Sequence, residues 1–273
     1  ALAAPSLYTG YNSGPSIPED WTVVAISQSG ASPDLRAVLA YEGYQYNDRV
    51  AVTNEGASPL ANAASVIIAL GAGTELAVAA TKTYTAELAA VLKLSEAWGA
   101  ERRGIGQVAA AMEQTIEREA SIARAAAVVA GMESCAIVGR GLNMATAYEW
   151  ALKITETSNV SAHPFSSADF SHGPIAMADR DTPVLAVVDD DAFASPTLGM
   201  IQALRAERRT PVVLISTLHE MEADAVISLP NLSLELNPLV AAVAAQLFSY
   251  HLAVARGLDP DSPRGLNKVT STL

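Results

Sequence analysis

Residues 22–42, TVVAISQSGASPDLRAVLAYE, decide the fold. Thr22–Ile26 is a short, continuous apolar run rich in β-branched residues, the pattern of a strand buried on both faces. It stops at Ser27-Gln28-Ser29-Gly30, and a helix start follows, with Ser32 as N-cap, Pro33 at the first helical position and Asp34 in the first turn. Backbone N–H groups, Ser and Gln donors and the positive end of a helix dipole converge there, which suits an anion such as phosphate. A serine-capped strand–helix turn reads the same way, and Asp34 competes for the dipole. The pattern alone leaves both readings open.

Working outward, residues 1–20 are small and turn-rich, with a short strand expected at Ala4–Tyr8. Further strands are expected at Arg49–Thr53 and Ser65–Leu70, separated by a short helix that Ser58-Pro59 starts. Thr74–Trp98 reads as one long helix and Gln107–Gly131 as another. The pattern restarts at Ser134 with strand Cys135–Val138, a tight turn Gly139-Arg140-Gly141 and an amphipathic helix Met144–Ser158. After an irregular stretch, 159–174, come strands Val184–Val188, Val212–Ser216 and Ala225–Leu229, then a helix Leu239–Arg256. Strands alternating with helices predict parallel, right-handed βαβ units in an α/β, doubly wound fold.

The chain looks like a structural repeat. Residues 22–41 match 183–204 (PVLAVVDDDAFASPTLGMIQAL) in kind: apolar strand, polar loop, Ser-Pro helix start. RVAVTN at 49–54 then matches PVVLIS at 211–216, and SVIIAL at 65–70 matches AVISLP at 225–230. The loops differ. Asp189-Asp190-Asp191 would repel the anion that the serine loop could hold, so only the first half is expected to bind one. The second half also has a strand, turn and helix (135–158) before Val184 for which the first half shows no counterpart. Its first strand and helix are therefore expected to be missing from the numbered chain. The expected division is 1–131 and 132–256, with a tail at 257–273.

Bulk composition narrows the function. Of 273 residues half are hydrophobic and 17% charged, enough apolar surface for a substantial core, and the net charge is −12. An acidic chain without a basic run is a poor candidate for nucleic acid or an anionic membrane surface. Cys135 is the one cysteine, so no internal disulfide forms and a reducing compartment fits. No stretch is expected to span a membrane, and the N-terminus lacks a signal-peptide start, so a cytoplasmic protein is expected.

Several motifs carry chemistry. Gly139-Arg140-Gly141 invites a dinucleotide reading, but Met144 stands where the third glycine belongs, and close packing or sugar contact fits better. Glu149, Lys153 and Glu156 share one helix face, opposite Met144, Ala147, Tyr148 and Ala151, as either a solvated salt-bridge stripe or part of a site. The irregular segment after them, SAHPFSSADFSHGPIAM, suits a site lid. His172-Gly173-Pro174 puts a histidine on a stiff turn there, useful as an acid/base. His163 and His172 without nearby Cys make a weak metal site, and neither HExxH nor G-x-S-x-G occurs. The tail carries Arg256, Arg264 and Lys268; the pattern leaves open whether it frays or docks.

In combination these segments resemble the sugar isomerase (SIS) family, and within it the isomerase domains of glutamine–fructose-6-phosphate aminotransferases. The resemblance rests on Ile26-Ser27-Gln28-Ser29-Gly30, Gly73-Thr74-Glu75 with Val78-Ala79-Ala80-Thr81-Lys82, Gly139-Arg140-Gly141, Ala151-Leu152-Lys153 with Glu156, His172-Gly173-Pro174, and Pro263-Arg264 with Leu266 and Lys268. It implies two flavodoxin-like, three-layer αβα subdomains. It implies that Ser27, Gln28, Ser29 and Ser32 bind a sugar phosphate, with backbone near Val78 on the sugar. Glu156 would move a proton between C1 and C2, and His172, lent by the partner subunit of a homodimer, would open the ring. Lys268 would meet the open-chain carbonyl and Lys153 would handle a proton. No metal or organic cofactor is implied.

The segment that would carry a glutaminase is absent from the numbered chain, so the expected activity is deamination of glucosamine 6-phosphate to fructose 6-phosphate and ammonia. Fructosamine 6-phosphate deglycation, another phosphosugar isomerisation, and a non-catalytic sugar-phosphate regulator are the alternatives. Thr155 stands where those domains have lysine and His163 where they have a carboxylate, which leaves the sugar's substituent open.

Overall fold

The computed structural model describes residues 5–219, 221–266 and 268. They form two α/β units. The first comprises residues up to Leu76, Ala80–Ala100 and Lys268; the second comprises Ala77–Ala79 and Glu101–Leu266.

The first unit runs α1 (Ser6–Tyr11), β1 (Thr22–Ser27), α2 (Pro33–Leu39), β2 (Asp48–Thr53), α3 (Pro59–Asn62), β3 (Val66–Ala69) and α4 (Lys82–Ala97). Its strands pair in parallel in the order β1-β2-β3. Ala25, Leu39, Ala51 and Leu60 are its central apolar cluster. The strand expected at Ala4–Tyr8 is instead α1. Asn12 in the left-handed region ends it, and Tyr8 is buried where its hydroxyl meets that of Tyr44 at 2.7 Å. The burial expected on both faces of β1 is also not found. Ala25 is buried and Ile26 is 36% exposed, because among the described residues β1 is an edge strand.

The second unit runs α5 (Gly106–Glu117), α6 (Glu119–Val128), β4 (Ser134–Gly139), α7 (Asn143–Ser158), β5 (Ser161–Ser166), α8 (Ser167–Ser171), β6 (Val184–Val188), α9 (Ala194–Arg208), β7 (Val212–Ser216), β8 (Ala225–Ser228) and α10 (Asn237–Ala255). Its five parallel strands lie in the order β5-β4-β6-β7-β8. Counted within the unit this is 2-1-3-4-5, the flavodoxin-like order, whose switch point lies between β4 and β6. Every residue of β6 and β7 is buried, as the continuous apolar runs predict.

The chain departs from the expected elements at four further places. Thr74–Thr81 is not helical; α4 starts only at Lys82, because the Glu75 carboxylate folds back onto its first turn. The helix expected over Gln107–Gly131 is two helices, broken at Arg118, whose guanidinium donates to the Ser228 carbonyl at 2.7 Å. The stretch 159–174 holds β5 and α8; Pro164 is tolerated because β5 is an edge strand. Finally, α10 is long and apolar enough to cross a membrane, contrary to the sequence expectation of no such stretch. It is a core helix of this unit, packed on α5, α6 and α7.

Candidate functional site

In the first unit the loop after β1 is held by its own serines. Gly30 N–H donates to Ser27 Oγ (3.1 Å), Ala31 N–H to Ser29 Oγ (3.3 Å), and Leu35 N–H to Ser32 Oγ (3.5 Å), the last being the expected N-cap of α2. Each hydroxyl acts here as an acceptor, which leaves its own proton to donate to an anion. Gln28 anchors the loop through its carbonyl, which accepts from Asn54 N–H (3.1 Å) and Thr53 Oγ1 (3.3 Å). Gly30 is at φ +59°, and a Cβ there would sit 2.1 Å from Ser58 Oγ, so only glycine fits the turn.

The same unit contains an organising carboxylate for which the sequence offered a motif but no role. Glu75 Oε2 accepts from Thr83 Oγ1 (2.5 Å), Thr83 N–H (3.0 Å) and Thr81 N–H (3.3 Å), and so caps α4. Burial pushes the Glu75 carboxyl up, but the Thr83 and Thr81 hydrogen bonds and the Lys268 charge outweigh it and hold the carboxyl below the usual range. Lys268, half-buried, therefore lies within electrostatic reach of Glu75. Asn54 braces the neighbouring turn, donating to the Gly73 carbonyl (2.7 Å) and accepting from Ala72 N–H (2.9 Å). The signal for this cap was a Glu a few residues before a Thr-rich helix start; the apolar run through Leu76–Ala80 masked it by reading as helix.

In the second unit α7 carries Glu149, Lys153 and Glu156, and the solvated-stripe reading fails. The Lys153 side chain is only 6% exposed and that of Glu156 24%. The two form an ion pair, Lys153 Nζ donating to Glu156 Oε2. Glu149, 5% exposed, accepts from Gln246 Nε2 of α10 at 2.9 Å, and burial pushes its carboxyl above the ordinary range despite the Lys153 charge and that hydrogen bond. The apolar face expected at Met144, Ala147, Tyr148 and Ala151 is only partly so: Ala147 and Ala151 are buried and Tyr148 is 61% exposed. Thr155 is exposed.

His172 is exposed at the C-terminal end of α8, its N–H bonded to the Asp169 carbonyl (3.1 Å). His163 on β5 pairs with Ser161 Oγ at 3.0 Å, and among the described residues no cluster of three or more His, Cys, Asp or Glu is arranged for a metal. Val78 lies half-buried in the short stretch that groups with this unit.

At the switch point of the second sheet the loops are closed. A Cβ on Gly139 would meet the Asn143 carbonyl oxygen at 2.5 Å, so this glycine serves strand–helix packing. Arg140 lies over the Phe193 ring, 4.7 Å from its centroid. Asp189 is buried and accepts from Thr217 Oγ1 (3.3 Å), Asn143 and Asn237; burial nevertheless pushes its carboxyl up, and the Asp191 charge adds to the rise. Asp191 Oδ1 accepts from Phe193 N–H at 2.7 Å at the start of α9.

A family model described as the SIS domain matches residues 10–97 and 132–256. An isomerizing glutamine–fructose-6-phosphate aminotransferase of Lactiplantibacillus plantarum is 32% identical over 257 residues, which are 90% of this chain and 42% of that protein. The chain thus spans less than half the length of this curated relative. The C-terminal domain of glucosamine-fructose-6-phosphate aminotransferase from Francisella tularensis superposes with a TM-score of 0.81 at 27% identity, over 89% of this chain and 72% of that one. A glucosamine-6-phosphate deaminase from Thermotoga maritima superposes with a TM-score of 0.74 at 15% identity, over 98% of this chain and 80% of that one, a likeness of fold alone.

Proposed function

The chain belongs to the SIS domain family, and from that premise we propose that it is a phosphosugar aldose–ketose isomerase and deaminase. The substrate class is an amino-sugar phosphate such as glucosamine 6-phosphate, converted with one water to fructose 6-phosphate and ammonia. The observation that carries the reading is the α7 pair: a partly reachable carboxylate, Glu156, bonded to a buried ammonium, Lys153.

Moving a hydrogen between C1 and C2 needs a carboxylate that takes a proton from one carbon and returns it to the next, and Glu156 has that part. Charge develops on the sugar oxygens meanwhile, and the Lys153 ammonium stabilises it. Ser27, Gln28, Ser29 and Ser32 hold the phosphate through their donors, and backbone near Val78 supports the sugar. His172, exposed at the end of α8, acts as the acid/base that opens the ring, lent to the partner subunit of a homodimer. Lys268 meets the open-chain carbonyl, and Glu75 fixes the segment from which α4 starts.

The test follows ammonia and fructose 6-phosphate together on glucosamine 6-phosphate. Both products are expected in equal amounts. Glu156→Gln is expected to abolish turnover while leaving sugar-phosphate affinity within about tenfold, about 1.4 kcal/mol. Equal loss of turnover and binding would remove Glu156 from the role of base.

A further inference from the structure

The turn after β4 and the loop after β6 enclose a small cavity at the switch point of the second sheet, and the sugar chemistry above makes no use of it. Its volume is about 10 Å3, room for one water or one bare ion, and its lining includes Arg140, Asn143, Asp189, Asp191 and Thr197. Asn143, Asp189 and Thr197 are 4%, 2% and 4% exposed. Asn143 Oδ1 is buried without a hydrogen-bond partner. Asp189 explains how the amide is turned: the carboxylate takes its N–H, so the oxygen is what Asn143 presents to anything else it meets.

The neighbouring oxygens are acceptors as well. Thr197 Oγ1 gives its proton to Ser167 Oγ at 3.2 Å. Asp191 Oδ1 takes one from Phe193 N–H at 2.7 Å, and Asp189 Oδ1 takes one from Thr217 Oγ1 at 3.3 Å. None of these oxygens has a proton left for the cavity, and two of the four side chains bring negative charge. A water supplies two protons and no charge, too little for four acceptor groups. A cation meets all of them at once. Arg140 does not fill that part: its guanidinium lies over the Phe193 ring, 4.7 Å from the centroid, and among the described residues it pairs with neither carboxylate.

We propose that this cavity binds one monovalent cation of the size class of Na+, K+ or ammonium, held by Asn143 Oδ1, Thr197 Oγ1 and the Asp189 and Asp191 carboxylates. Two lining carboxylates against one guanidinium leave a single negative charge for the ion to balance. Magnesium does not suit the place, since it keeps several of its waters and the cavity has room for one particle. The bound ion ties the Gly139–Gly141 turn, where α7 begins, to the loop that starts α9. It makes the switch point of the second unit a site of opposite sign to the serine loop after β1.

The test needs no substrate, so its failure is distinct from failure of the sugar reading. Thermal unfolding is followed at one ionic strength in the chlorides of Na+, K+, ammonium and Mg2+, each against tetramethylammonium, which is too large for the cavity. At least one of the three small monovalent ions is expected to raise the midpoint saturably, by about 3–6 °C at ten times its dissociation constant. The ion that acts at the lowest concentration is the occupant. Asp189→Asn keeps the side chain's shape, removes its charge and is expected to abolish the shift. Thr197→Val, which deletes one oxygen, is expected to raise the half-saturating concentration about tenfold, and it keeps the test open if Asp189→Asn does not fold. Arg140→Met removes the competing charge and is expected to lower that concentration. Equal midpoints in every salt, the outcome for a cavity that holds water alone, overturn the proposal. So does a shift produced by Mg2+ alone, or one that neither Asp189→Asn nor Thr197→Val changes.

Discussion

The two units answer the same structural question differently at the loop after a parallel strand. After β1 the loop is closed by hydroxyls, Ser27, Ser29 and Ser32, each accepting a backbone N–H and keeping a proton to give. After β6 it is closed by carboxylates: Asp191 caps the turn at Phe193, and Asp189 is buried among Thr217, Asn143 and Asn237. A hydroxyl both accepts and donates, so a loop built from hydroxyls can be complete and still take an anion. An ionised carboxylate only accepts, and its own charge fills the place. One scaffold therefore yields one loop closed by hydroxyls that still carry protons to donate and one closed by carboxylates.

The sharpest way to break this comparison is Gly30→Ala. Its φ of +59° and the 2.1 Å approach to Ser58 Oγ leave no room for a Cβ, so the first loop must rebuild. A loss of about 2–4 kcal/mol in unfolding free energy is expected from strain and overpacking together, with sugar-phosphate affinity falling as well. Chemical denaturation alongside calorimetry measures both, and a variant as stable and as tight as the parent would show that the loop's shape is not what the site needs.

A gentler change separates the two loops. On the phosphate-binding role proposed for Ser29, Ser29→Ala should weaken binding of fructose 6-phosphate by about 1–2 kcal/mol, while Asp191→Ser in the second loop should leave it unaltered. Calorimetric titration of the two variants decides; equal losses in both would mean that the loops do not differ in function.

The smallest expected effect concerns Asp189 and pH. Burial raises its carboxyl in the folded chain, so the folded state holds the proton longer than the unfolded one. The stabilisation is present in full below the unfolded value, about 3.9, and is lost as pH rises through the higher folded value. Asp189→Asn cannot titrate, so its stability relative to the parent should improve steadily from pH 4 upward. A difference between the two proteins that is flat with pH would show that Asp189 is not buried as an acid.

Legibility in the sequence followed the same physics. The buried strands Val184–Val188 and Val212–Ser216 were readable because an interior strand leaves an uninterrupted apolar run. Ser32-Pro33 was readable because a cap and its proline act within four residues. What escaped depended on distant partners. Ser161–Ser166 is a strand only because β4 pairs with it, and Pro164 argued against that locally. Glu75 replaces the start of an apparent long helix by reaching Thr81 and Thr83, and its spacing from them carries no familiar pattern. For α7 the residue pattern is a charged stripe that solvent or a core could equally cover; Gln246, far along the chain, is part of what covers it. The homodimer, the ring-opening part of His172 and the placement of Lys268 against the sugar stay with the proposal.

Central to this account is that Glu156 moves a proton between neighbouring carbons of a phosphosugar, and hydrogen exchange in heavy water tests it whatever substituent the natural substrate carries at C2. Fructose 6-phosphate is incubated with the protein in D2O and deuterium at C1 is followed by NMR. The expected result is steady incorporation with the parent chain and none with Glu156→Gln, although calorimetry still detects binding to both. Incorporation at the same rate in Glu156→Gln, or tight binding by the parent with no exchange at all, would contradict the account.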